Sequence, residues 1–132
     1  MNLMKTPLIP ISWGELFDKL TILQIKLENL KDTNALKNVK VEYYKLCKIY
    51  NNNFLEDENA KRFFNDLKQI NEKLWDIEDN IRDKERNKIF DQEFIELARS
   101  VYITNDQRSR VKKKINKFFE SELIEEKSYS HY

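Results

Sequence analysis

The stretch FFNDLKQINEKLWDIEDNIRDKE (residues 63–85) decides the fold. Phe63, Leu67, Ile70, Leu74, Ile77 and Ile81 recur at spacings of 4, 3, 4, 3 and 4, which lays one apolar stripe along a helix. A seam kept through so many turns calls for another long helix packed nearly parallel or antiparallel to it. The helix so predicted spans about 58–86. At about 100° per residue, Asp76, Asp79, Asn80, Asp83 and Lys84 point away from the seam and form a solvated face. Glu78, Arg82 and Glu85 flank it instead, on the side that carries Phe64, Asn71 and Trp75.

Working outward, every other segment reads as helix or connector. The chain has 132 residues, enough for one domain with a modest core. It has one Gly and two Pro, too few for the tight turns of a sheet protein. Residues 1–11 read as extended, because Pro7 and Pro10 turn their predecessors away from helix. Ser12 then supplies an N-cap, with Glu15 placed to close a capping box and Ile11 and Leu16 placed as a staple. Helix one runs from Trp13 to about Lys31, with Leu16, Leu20, Leu23, Leu27 and Leu30 on one stripe. Phe17, Ile22 and Ile25 fall mostly on its other side. A helix apolar on two sides is either sandwiched within its own bundle or shared with a second subunit or protein partner.

Asp32, Thr33 and Asn34 supply the next cap, and helix two covers about 35–51 before the run NNN (51–53) ends it. Asp91 caps a helix over about 92–103 with Phe94, Leu97, Ala98 and Val101 inward. Thr104 and Gln107 form a second capping box that starts a helix over about 105–120, with Val111, Ile115 and Phe118 inward. The tail from residue 121 to 132 has no periodicity, and either docks along the bundle or stays loose. The expectation is an all-α, single-domain bundle of about five helices with an extended N-terminal segment and an irregular C-terminal tail.

Composition narrows the function. Basic residues number 24 and acidic residues 23, so no global field draws the chain to nucleic acid or membrane. The run RSRVKKKINK (108–117) reads as a solvated outer face, which disfavours nucleic acid. No apolar run reaches the roughly 20 residues that span a bilayer. Together with the lack of a secretory leader pattern, this gives a cytoplasmic expectation. Cys47 is a lone thiol on an apolar helix face, and His131 lies at the very end of the tail. Neither can join a Ser-His or Cys-His pair from mid-chain. The carboxylate pairs in DIED (76–79) and EFIE (93–96) point outward, whereas a bundle-core metal site needs them inward. No metal or cofactor is expected.

One polar cluster remains. Arg99 emerges among Ile95, Tyr102 and Ile103, and a charge held among apolar groups needs a partner. Glu78, Glu85 and Asp18 are the candidates, and the plainer reading of the cluster is an internal salt-bridge network that fixes helix register. The cap at Thr104 would offer free helix amides to an anion, with Asn105 and Arg108 beside it. Asp18, Trp75, Glu78, Arg82, Arg99, Tyr102, Asn105 and Arg108 are therefore the candidate ligand-binding residues. Two readings stay open. One is a non-enzymatic binding or assembly module working through Phe17, Ile22 and Ile25, as a homodimer or with another protein. The other is a binding protein or enzyme that uses the Arg/Glu cluster on an anionic small molecule: a phosphate, nucleotide-sugar or carboxylate.

Four stretches, PISWGELFDKLTILQIK (10–26), LWDIEDNIRDKE (74–85), FDQEFIELARSVYITNDQRSRVKKKIN (90–116) and EEKSY (125–129), resemble a small bacterial and phage-associated family that carries only a domain-of-unknown-function label. Residues 32–65 carry none of its signature. The resemblance implies a helical domain in a cytoplasmic setting and brings no activity, substrate or catalytic residue.

Overall fold

The computed structural model describes residues 5–132. Residues 5–11 carry no secondary structure, in keeping with the extended segment; the expectation for residues 1–4 lies outside the described residues. Four helices follow: α1 (Trp13–Asn29), α2 (Thr33–Phe54), α3 (Glu58–Arg86) and α4 (Gln92–Phe118). Each starts on an oxygen-bearing side chain. Ser12, Asp32, Asp57 and Asp91 accept a hydrogen bond from the amide three residues on, at 2.9–3.1 Å. This satisfies one of the free donors of a first helical turn. Among the described residues there is no strand.

Two boundaries differ from expectation. α2 runs through Asn51–Asn53 to Phe54, because the Phe54 ring is buried in the core and holds the last turn in place. The helices expected over 92–103 and 105–120 are one continuous α4. Thr104 lies fully buried in its middle instead of at a cap. Neither Gly nor Pro lies near Thr104 to break the helix, and packing decides against the local capping signal.

Two connections and the start of the C-terminal segment contain a non-glycine residue with positive φ: Glu56 (64°), Lys88 (54°) and Glu120 (52°). The last two close Schellman motifs. Ile89 N donates to Lys84 O at 3.0 Å, and Ser121 N to Asn116 O at 2.7 Å.

α1 is the hub and packs on α2, α3 and α4, while α3 and α4 also run together as a hairpin. Phe17 is wholly buried, ringed by Tyr50, Phe54, Phe64 and Phe119 at centroid separations of 5.3–6.3 Å. Phe17 and Ile25 thus lie inside this chain, and Ile22 is half-buried. The double-faced α1 is sandwiched within its own bundle. Of the three residues expected at a partner contact, only Ile22 keeps exposed surface. The core is not evenly spread: no residue between Glu78 and Ile103 is buried. The outer halves of α3 and α4 form a two-helix arm without a third layer.

Candidate functional site

Where α1 crosses α4 antiparallel, the second face of α1 presents Gly14, Asp18, Thr21 and Ile25 at spacings of 4, 3 and 4, all buried. α4 presents Thr104, Arg108, Lys112 and Asn116 at spacings of 4. Gly14 is the only glycine in the chain, and close approach requires it. A Cβ there would lie 2.6 Å from the Lys112 carbonyl oxygen and 2.9 Å from Asn116 Oδ1. The first turn of α1 has its amides taken by the protein. Trp13 N donates to Ser121 Oγ (3.2 Å), Gly14 N to Asn116 Oδ1 (2.7 Å) and Glu15 N to Ser12 Oγ (3.1 Å). Glu15 does not close the expected capping box; its carboxylate receives Lys112 Nζ at 2.8 Å.

The contact places Asp18 opposite Arg108. Asp18 is 1% exposed and Arg108 is 29% exposed. Arg108 Nε donates to Asp18 Oδ1 at 2.8 Å and Arg108 Nη2 to Asp18 Oδ2, a bidentate pair. Asn71 on α3 donates to Asp18 Oδ1 (2.9 Å) and to Thr21 Oγ1 (2.8 Å), and Thr21 Oγ1 donates to the Asp18 carbonyl (2.8 Å). Lys112 Nζ stands 3.7 Å from Asp18 Oδ2.

Burial alone would raise the Asp18 pKa. The hydrogen bonds from Arg108 and Asn71, with the positive charges of Arg108 and Lys112, outweigh burial and hold it below the ordinary carboxylate value. The bond to Asp18 raises Arg108 in turn. Burial pulls Lys112 down, but the bond to Glu15 and the negative charges around it leave it raised. Asp18, Arg108 and Lys112 are thus all ionised near neutral pH. Asp18 therefore orients Arg108 and is a poor base.

Arg108 and Asn105 form the wall between two surface grooves. One, about 470 Å³, is floored by Ile22, Ile25 and Leu74 and edged by Trp75, Glu78 and Arg82. The other, about 530 Å³, lies between α4 and the C-terminal segment and includes Tyr102, Lys112 and Glu125. Asn105 Oδ1 accepts from Arg108 Nη1 at 3.4 Å, at the edge left over from the Asp18 pair.

Of the eight candidate residues, the structure brings Trp75, Glu78, Arg82, Asn105 and Arg108 to the first groove, Tyr102 to the second, and Asp18 beneath both. Arg99 is the exception. It is exposed, lines neither groove and makes no ion pair among the described residues. Glu78 turns to Arg82 on its own helix (3.2 Å, both partly exposed). The expected meeting of Glu78 with Arg99 does not occur, because the arm has no third layer to bury Arg99. The anion site expected on free amides at Thr104 is also absent, since α4 runs unbroken there. Arg108 and Lys112, read as outer-face charges, point inward.

Asn71, Lys112, Glu15 and Asn116 were not among the candidates. The signal was there: Arg108, Lys112 and Asn116 share one face by their fourfold spacing, and the continuous α4 adds Thr104 to it. Asp76, Asp79, Glu93 and Glu96 are exposed, as their helical phase requires.

The tail folds back on α4. Lys112 Nζ meets Glu125 at 3.3 Å, Lys113 meets Glu126 at 2.8 Å, and the Tyr132 ring lies 5.1 Å from that of Tyr102. Among the described residues, no helix is long and apolar enough to cross a membrane.

Neither a curated protein nor a solved structure gives a significant match to this chain. A family model does, over residues 7–132, nearly the whole length and all four helices. The chain belongs to DUF6165, a family of unknown function.

Proposed function

We propose that this is a binding domain for an anionic small molecule, held in the groove between Trp75 and Arg108. The observation that supports this reading is the mounting of Arg108: a fully buried carboxylate fixes two of its nitrogens while the side chain stays 29% exposed at the groove wall. A guanidinium oriented in this way loses little freedom on meeting a carboxylate or phosphate. The half-buried Trp75 and the apolar floor suit a ligand with a planar or apolar part, and the groove volume lies in the usual range for small-molecule sites. Binding is favoured over catalysis because the buried carboxylate is saturated and Glu78 is engaged by Arg82.

A thermal-shift screen of carboxylates, inorganic phosphates and nucleotide-sugars tests the reading. A true ligand stabilises the wild type and loses roughly tenfold or more in affinity in Trp75→Ala, a change of about 1.4 kcal/mol. A hit whose affinity is the same in Trp75→Ala and Arg82→Ala removes this groove as the site.

A second reading, assembly through the arm, is favoured by the exposed Ile89, Phe90 and Ile95 on a helix pair that lacks a covering layer. The occupant that fits is a second copy. Each helix of the arm carries both signs of charge, Glu78 with Arg82 and Glu96 with Arg99, so two arms related by a twofold axis can oppose unlike charges. Light scattering decides: a dimer lost in Phe90→Ser with Ile95→Ser supports it, and a monomer at high concentration rejects it.

A further inference from the structure

We propose that the groove between α4 and the C-terminal segment is a second anion subsite, joined to the first through Arg108, and that Glu125 of the chain's own tail occupies it until an external phosphate or diphosphate group displaces it. This inference extends the ligand reading above by adding a phosphate-binding position next to the Trp75 groove.

Lys112 is the anchor. Its ammonium is mostly buried and faces Glu15 and Asp18 on the inner side and Glu125 on the outer side. The two inner carboxylates belong to helix α1 and are fixed. Glu125 belongs to a segment without secondary structure, every residue of which from 122 to 132 is exposed. Its hold is a few exposed contacts: ion pairs of Glu125 and Glu126 to lysines, a ring contact between Tyr132 and Tyr102, and the Tyr132 hydroxyl on Asp106. Exposed ion pairs of this kind are individually weak. A carboxylate carrying one negative charge thus sits where a dianion would interact more strongly with Lys112 and with the neighbouring Arg108. Lys127 meets Glu125 at 2.6 Å, a pair within the tail that leaves with it. The α4 wall of the groove, with Tyr102, Asn105, Arg108, Ser109 and Lys112, remains when the tail leaves.

Inorganic pyrophosphate is the probe, added to the full chain, to Glu125→Gln and to a chain ending at Glu122. Calorimetry is expected to show binding tightened roughly two- to fivefold in Glu125→Gln, the worth of one exposed ion pair, and by at least as much in the shortened chain. NMR order parameters of residues 124–132 in the full chain are expected to fall when pyrophosphate is added. Equal affinity in all three proteins, no binding in any of them, or a tail that stays ordered in the bound state overturns the proposal. Trp75→Ala separates the two readings. Pyrophosphate has no planar part, so its binding persists there even if the Trp75 groove holds nothing. Loss of pyrophosphate binding in Trp75→Ala with an unmoved tail overturns this subsite and leaves the Trp75 groove standing.

Discussion

The two ends of the α3–α4 hairpin are built from the same kind of sequence and end differently. At the α1 end, Leu67 and Ile115 are fully buried, and Asp18, Thr104 and Asn116 are buried with them. In the arm, Ile81, Phe94, Leu97 and Val101 keep helical phase but are only half-covered, and Phe90 and Ile95 are exposed. Apolar periodicity states which side of a helix seeks cover; it does not state whether cover arrives. α1 has 17 residues and α3 has 29. At about 1.5 Å per residue, α1 is too short to follow the hairpin to its tip. Stability therefore concentrates at one end, and the chemistry concentrates where α1 lies.

The largest test of this contrast removes a group from each end. Phe17→Ala is expected to cost about 3–5 kcal/mol in urea unfolding, the usual range for a buried ring. Phe90→Ala is expected to fall within about 0.5 kcal/mol of wild type. Comparable losses from both would show that the arm is covered after all. Asp18→Ala should rank with Phe17→Ala, about 3–5 kcal/mol, because it leaves Arg108 and Lys112 facing each other without their shared counter-charge.

Gly14→Ala comes next. Alanine usually favours a helix over glycine by about 1 kcal/mol. Here the added carbon meets the backbone oxygen of Lys112, and a net loss of about 1–3 kcal/mol is expected.

Acid titration gives a subtler contrast. The Asp18 pKa is lowered on folding, so its contribution is complete above the ordinary value of 3.8 and is lost as pH falls through the lower folded value. The Lys112 pKa is raised, so its contribution is complete below 10.5 and is lost as pH rises through the higher folded value. Wild-type stability should fall below about pH 4, and Asp18→Asn should show a visibly shallower acid limb. Equal slopes would place the acid sensitivity elsewhere.

The smallest effect lies at the tip of the arm. Lys88 adopts φ 54° where glycine is usual, and Lys88→Gly should stabilise by roughly 0.5–1 kcal/mol by relieving that strain. Melting temperature reads it out.

How much was legible follows from these particulars. The seam of α3 set its ends correctly, and Ser12, Asp32 and Asp91 are caps by side-chain chemistry that needs no tertiary context. Thr104 carries the same local signal as Ser12 and is not a cap, because burial against the bundle outweighs one hydrogen bond at a helix start. Lys112 and Asn116 share the phase of Arg108 within the helix expected over 105–120; taking the basic run 108–117 as a solvated face hid them, since composition does not show which side of a helix is covered. Asp18 was found because a carboxylate on an apolar face must have a partner. The sequence offered Asp18 to Arg99, and its partner is Arg108, since periodicity gives direction around a helix and not depth along a bundle.

The clasp between the two ends of the domain bears on how it is made. Trp13 and Gly14 bind Ser121 and Asn116 across 108 and 102 residues of chain. A ribosome must therefore release the chain through Ser121 before the start of α1 can find its hydrogen-bond acceptors. Until then Gly14 faces no α4 backbone and Asp18 has no guanidinium. A nascent chain stalled before residue 108 would carry an ionised side chain that favours water over the interior, so docking of α1 has to await synthesis of the last helix.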